Sequence, residues 1–114
     1  VISTAKDLAV FVESLNQGKI ISKQTLNEFY SFDNKFINGI HYGLGFMEYH
    51  FKEFFPTLGG LPMLRGHMGV LGTQMLYDEE TDTTFICSFG STDYSSGSVK
   101  TMIKILSIMM QIQD

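Results

Sequence analysis

One cysteine, one arginine, two prolines and no tryptophan are what this sequence of 114 residues offers of the rarer residue types, and each scarcity excludes something. Cys87 has no partner for an internal disulfide, and its place in the apolar run Thr84-Phe85-Ile86-Cys87 reads as a small buried hydrophobe rather than a nucleophile. Arg65 is the lone arginine, the lysines are scattered from Lys6 to Lys104, and the net charge is −4, so a nucleic-acid partner is not expected. No apolar run approaches the roughly 20 residues of a membrane span, and the N-terminus lacks the basic-then-apolar pattern of a secretory leader. There is no internal repeat or low-complexity tract. The compartment is therefore open on composition alone.

What is present is apolar bulk: 44% hydrophobic residues, with ten Phe and seven Met, enough for one modest core in a chain of this length. The spacing of Leu8, Phe11, Val12 and Leu15 predicts a helix over residues 4–17, opened by Thr4 with Asp7 three places on and closed by Gly18. A second helix is expected from Lys23 to about Phe32, capped by Ser22. Residues 33–40 read as a loop and 41–51 as a strand. A loop with Pro56, Gly59, Gly60 and Pro62 follows, then strands over 73–77 and 83–89 joined by a polar turn. Residues 91–98 read as a polar loop before a helix over 99–112. Ile105, Ile108 and Ile112 spill outside the stripe one neighbour would cover, so self-association of the isolated chain through them is expected. The fold class that emerges is α+β, an antiparallel sheet flanked by helices. The chain divides into two helices (1–32), a strand with loops (33–63), an edge strand and hairpin (64–90), and a loop with the terminal helix (91–114).

The stretch of most chemical interest holds Gly66, Gly69 and Gly72 around His67, Met68, Val70 and Leu71. Glycines set three apart at the start of an apolar strand suggest an edge where a ligand or another backbone approaches closely, with His67 offering an imidazole. A non-catalytic module binding a peptide along that edge by strand addition is the alternative reading.

Taken in order, Ser3-Thr4-Ala5-Lys6-Asp7-Leu8, then Tyr42-Gly43-Leu44-Gly45-Phe46, then Gly66-His67-Met68-Gly69 followed by a hairpin and a terminal helix, resembles the C-terminal part of the serine β-lactamase/penicillin-binding family. The class C-related branch, with its esterases and D-amino-acid peptidases, is the most similar. The resemblance implies the C-terminal portion of a β-lactamase/transpeptidase-like fold and an acyl-enzyme hydrolase whose nucleophile motif lies in a missing N-terminal part. His67-Met68-Gly69 stands at the Lys/His-x-Gly triplet. His67, Gly69 and Val70 are then the catalytic candidates, with the Val70 N–H half of the oxyanion hole, and Met68 and Gly72 the substrate-binding ones. The implied partners are that N-terminal part and a small-molecule or peptide substrate. No cofactor is implied, and an extracytoplasmic location is.

Other patterns are decoys on this reading. Ser3 and Lys6 satisfy Ser-x-x-Lys and Ser14 and Asn16 satisfy Ser-x-Asn, but with the triplet they are crowded into positions 3–69, Ser3-Thr4 reads as a helix start, and Ser14 and Asn16 sit inside that helix rather than on a loop facing a cleft. His41, His50 and His67 with Glu48 and Glu53 lack paired metal-ligand spacing, so no metal site is expected. The acidic residues 78–82 suit a solvated turn.

Overall fold

The first helix forms where its cap predicts. In the structure, a computed structural model that describes residues 2–113, α1 spans Ala5–Asn16 and Thr4 Oγ1 accepts from the Asp7 N–H at 3.2 Å. Ser22 does the same for Thr25 N at the head of α2, Lys23–Phe29. The chain then turns to extended structure. β1 (Asn34–Ile37), β2 (Ile40–Tyr42) and β3 (Met47–Tyr49) are short, and a four-residue helix α3 (Phe51–Phe54) follows them. β4 (Leu64–Met68), β5 (Gln74–Asp78) and β6 (Thr83–Cys87) come next, and α4 (Ser95–Gln113) closes the chain. The six strands form one antiparallel sheet in sequence order, β1 to β6.

Strand alternation assigns the two faces. Register sets Met47, Gly66, Leu76 and Phe85 in one row across the sheet, with Tyr49 opposite Leu64 beside it. These side chains meet Met102 and Leu106 of α4 in the main core, where Leu64 and Leu76 are wholly buried. Each such leucine contributes about 1.5–3 kcal/mol by leaving water. Gln74 and Ser98 are buried polar groups in this layer, and Gln74 Nε2 donates to Ser98 Oγ at 3.0 Å while Gln74 Oε1 accepts from Cys87 Sγ. The opposite face takes α1, whose Val12 and Leu15 are buried where the helix runs against β5 and β6. Tyr30 ties that layer together by donating to Asn16 Oδ1 at 3.0 Å and stacking on Phe32. The Arg65 guanidinium sits 5.0 Å from the centre of the Tyr30 ring, a cation–π contact that fastens β4 to the end of α2.

The structure departs from the sequence reading in several places. Residues 34–37 form a strand instead of a loop, paired with β2 through a hairpin at Asn38-Gly39, where Gly39 has φ +84°. The strand expected over 41–51 breaks into β2 and β3, because Gly43 N donates to Phe46 O and Leu44 N to Phe29 O, folding residues 43–46 into a turn against the end of α2. β4 is not an edge strand: β3 pairs with it on one side and β5 on the other. The last helix begins at Ser95, within the segment expected to be a loop. Of the three isoleucines expected to lack a neighbour, Ile105 packs against the core, whereas Ile108 and Ile112 are exposed.

Candidate functional site

The Gly66–Gly72 region divides into three parts with different surroundings. Through Gly66, β4 is interior, since Met47, Glu48 and Tyr49 pair with Gly66, Arg65 and Leu64. Beyond that point β3 ends, and His67 and Met68 pair only with Met75 and Gln74 of β5. The edge expected along the whole stretch is thus confined to these two residues, which also removes strand addition along 66–72. Residues 69–72 form the β4–β5 connection, with Gly69 N donating to Thr73 O at 2.7 Å and Gly72 N to Gly69 O at 2.9 Å.

The catalytic candidates fall out unevenly across these parts. His67 is half-buried at the uncovered end of β4, and its Nε2 lies 2.5 Å from Tyr42 Oη, with the two rings edge-on. That bond fixes the imidazole and leaves Nδ1 as the nitrogen for another group. Tyr42, which the sequence placed in the Tyr42-Gly43-Leu44-Gly45-Phe46 stretch without a role of its own, is the residue that holds His67. The Gly69 N–H is spent on the turn. Val70, expected on an edge strand, stands instead at the second position of the turn, 80% exposed, and its N–H makes no backbone hydrogen bond among the described residues. The substrate-binding candidates do not present side chains. Met68 turns inward to the core, where its sulfur accepts from Ser98 Oγ at 3.3 Å, and Gly72 (φ +75°) serves the turn.

Among the decoy residues Asn16 has structural employment, whereas the helix cap is Thr4 and not Ser3. Ser3 is exposed beside the Thr4 cap, and Asn16 donates to the Val12 carbonyl while accepting from Tyr30. Cys87 Sγ donates to Gln74 Oε1 at 3.4 Å, and burial pushes its thiol up from the ordinary value, so it is a poor nucleophile at neutral pH.

A second cluster was invisible in the spacing. His41 on β2, His50 just after β3 and Glu53 on α3 come together, with His41 Nε2 2.7 Å and His50 Nδ1 3.9 Å from Glu53 Oε1. His50 Nε2 lies 2.6 Å from Glu48 Oε1, and Arg65 Nε donates to Glu48 Oε2 at 2.8 Å. On the other side of Glu53, Oε2 takes Lys35 Nζ at 2.7 Å and the Gly39 N–H at 3.3 Å, and Asn38 Nδ2 donates to the Glu53 backbone carbonyl. His67 is not in this group.

The Lys35 ammonium, then the His41 imidazole, hold the Glu53 carboxyl down to about 2 from an ordinary 4.5. A carboxyl with a depressed folded-state pKa stabilises the fold above its unfolded value, and that contribution is lost as pH falls from about 4.5 towards about 2. Urea melts of the wild type and Glu53→Gln are therefore expected to differ at neutral pH and to converge across that window. A constant difference would mean that Glu53 adds nothing through its charge.

A cleft of about 670 Å³ opens elsewhere, between the 59–63 loop, the β5–β6 hairpin and Leu106, Met109 and Met110 of α4. Its walls hold Arg65 and acidic residues of the hairpin but no histidine, serine or cysteine, so it is not where acyl chemistry is sought. No family model and no curated protein matches this chain.

Proposed function

We propose that this chain is the C-terminal piece of a serine hydrolase of the β-lactamase/penicillin-binding kind, acting through an acyl-enzyme on an amide, ester or β-lactam. The observation that carries the reading is the end of β4: a histidine held by Tyr42, past the reach of β3, leads straight into a turn whose Val70 N–H is unengaged. The helix-flanked antiparallel sheet with a hairpin and a long helix at its end supports the reading, whereas the edge strand it expected for the triplet is reduced to the uncovered end of β4 at His67 and Met68. The nucleophilic serine, its base and the second polar motif come from the preceding part of the protein. That part also covers Ile108 and Ile112, which otherwise favour self-association, and supplies a strand for the outer ladder of β6, the last strand of the sheet.

In the reaction the serine oxygen attacks the substrate carbonyl while its proton passes to the base, and the Val70 N–H donates to the developing oxyanion. Collapse expels the amine or alcohol, which takes up the proton, and water then hydrolyses the acyl-serine. His67 Nδ1 is placed to hydrogen-bond the substrate or the second motif. Since Met68 faces the core and Gly72 has no side chain, substrate contacts from this piece are made by backbone and by His67.

The chain by itself then lacks a nucleophile. Incubated with a chromogenic β-lactam or a p-nitrophenyl ester it is expected to show no turnover, and a fluorophosphonate is expected to leave Ser3 unlabelled. Turnover that disappears in Ser3→Ala would sink the proposal and make the first helix the nucleophile element instead.

A further inference from the structure

We propose that His41, His50 and Glu53 form a binding site for a first-row divalent transition ion of the zinc class. The inference is independent of the acyl-transfer reading, because it concerns other side chains and is read by binding to the chain as it stands. The ligands converge: one ligand atom from each of His41, His50 and Glu53 lies within 4.8 Å of the other two, and His41 Nε2 and His50 Nδ1 are 2.7 and 3.9 Å from the same Glu53 oxygen, Oε1. An ion with bonds of about 2.0–2.2 Å holds tetrahedral ligands about 3.4 Å apart, so the two histidine–carboxylate separations of 2.7 and 3.9 Å bracket what the ion needs. The imidazole rings, with centres 4.3 Å apart, approach one carboxylate oxygen from different elements.

The groups behind these ligands decide between an incidental ion-pair cluster and a site. A metal-binding histidine normally gives its other ring nitrogen to a carboxylate, which fixes the tautomer and turns the lone pair towards the ion. His50 has that arrangement: Nε2 is held by Glu48, which is largely buried and itself held by Arg65, so Nδ1 is left facing Glu53. Glu53 is divided in the same way, because Lys35 and the Gly39 N–H hold Oε2 and leave Oε1 to the histidines. The backbone sets the distances, since His50 N donates to Gly39 O at 2.8 Å and Ile40 pairs with Tyr49. All three ligand side chains are 20–30% exposed, which lets an ion enter and keeps a position for water or an outside ligand. Two imidazoles and a carboxylate suit zinc, nickel, cobalt or copper and fail the all-oxygen demand of calcium or magnesium. On binding, His41 Nε2 must surrender the hydrogen it shares with Glu53, either to solvent or to its own Nδ1.

The test is titration of the chain with Zn2+ by calorimetry, with Co2+ as a visible-absorption probe of the nitrogen-and-oxygen ligand set and Mg2+ as the counter-case. One saturable Zn2+ equivalent with a raised melting temperature is expected, and no response to Mg2+. His41→Ala and Glu53→Gln are expected to weaken binding at least a hundredfold. Glu48→Gln, which touches no ion, should weaken it about ten- to a hundredfold by releasing His50. Lys35→Ala should weaken it less than Glu48→Gln does, because the Gly39 N–H still holds Oε2, and His67→Ala should bind as the wild type does. Circular dichroism shows whether each variant is folded, and Lys35→Ala and His67→Ala keep the test open if His41→Ala is not. Absence of saturable Zn2+ binding below the millimolar range, equal binding by Glu53→Gln, or loss of binding in His67→Ala would each overturn the site.

Discussion

Gly66→Ala is expected to remove a large part of the protein's stability, although it adds one methyl group. Gly66 has φ +156° in the buried middle of the sheet, and a β-carbon there would lie inside contact distance of the Met75 carbonyl oxygen and 2.9 Å from Leu76 Cα, both backbone atoms of β5. Neither can move without separating β4 from β5, the pair around which Leu64 and Leu76 are buried. A clash of that kind, with left-side backbone strain added, is expected to cost on the order of 4 kcal/mol or more against a total stability of about 5–15 kcal/mol. Gly72→Ala is the control. Its φ of +75° carries a penalty of about 1–2 kcal/mol, but the nearest obstacle is Phe89 Cβ at 3.2 Å, a tight contact relieved by a shift of a few tenths of an ångström rather than an overlap with backbone. Urea denaturation of the two variants should give a strongly lowered midpoint for Gly66→Ala and a modest decrease for Gly72→Ala; equal midpoints would mean that the β4–β5 contact is looser than described.

If the proposed acyl-transfer reading holds, Val70→Pro is expected to leave the fold intact and reduce kcat/KM of the proposed full-length hydrolase about a hundred- to a thousandfold, the usual consequence of losing one oxyanion donor. On an edge strand proline would also have damaged the sheet. The turn changes that expectation: Gly69 O accepts from Gly72 N, which makes Val70 the second of four turn residues, a position that favours proline's fixed φ. The N–H that proline deletes has no backbone acceptor among the described residues, and the side chain it replaces is exposed. Stability and activity are thereby uncoupled at one residue. Val70→Ala, which keeps the N–H, should retain nearly full kcat/KM, and all three proteins should melt within a few degrees of one another. If Val70→Pro stays active, the turn N–H is not the donor; if Val70→Ala loses as much, the side chain matters instead.

The helices were legible because their signals are local. Thr4 with Asp7 and Ser22 with Thr25 cap the turns they precede, and the stripe containing Val12 and Leu15 is the buried one. The β5–β6 hairpin was legible for the same reason. Strand neighbours were not, since whether β4 is an edge depends on where β3 folds back. That is decided by contacts of Gly43 and Leu44 with Phe46 and Phe29 which no local window displays. Three evenly spaced glycines looked like one motif and proved to do separate work: Gly66 admits the neighbouring strand, while Gly69 and Gly72 build a turn. The first hairpin did leave a signal, Asn38-Gly39 between apolar residues, which is the strongest short-range hairpin pattern and went unused. With that hairpin and the 43–46 turn in place, pairing of Ile40 with Tyr49 puts His41 beside Glu48 and brings His50 back to Gly39, so the histidine cluster follows from register rather than from spacing. His67 was found through its glycine neighbours, whereas Tyr42 was found only by distance.

The central claim is that His67 and the turn after it are this chain's share of an acyl-enzyme site whose serine lies earlier in the protein. The most direct measurement is to acylate the full-length protein with a fluorophosphonate or a β-lactam, digest it, and locate the modified residue by mass spectrometry, with the rate of labelling compared between wild type and His67→Ala. The account predicts one labelled serine N-terminal to Val1, and labelling slowed about ten- to a thousandfold in a His67→Ala protein whose melting temperature is nearly unchanged. Label on Ser3, no labelled serine, or labelling at the same rate without His67 would contradict it.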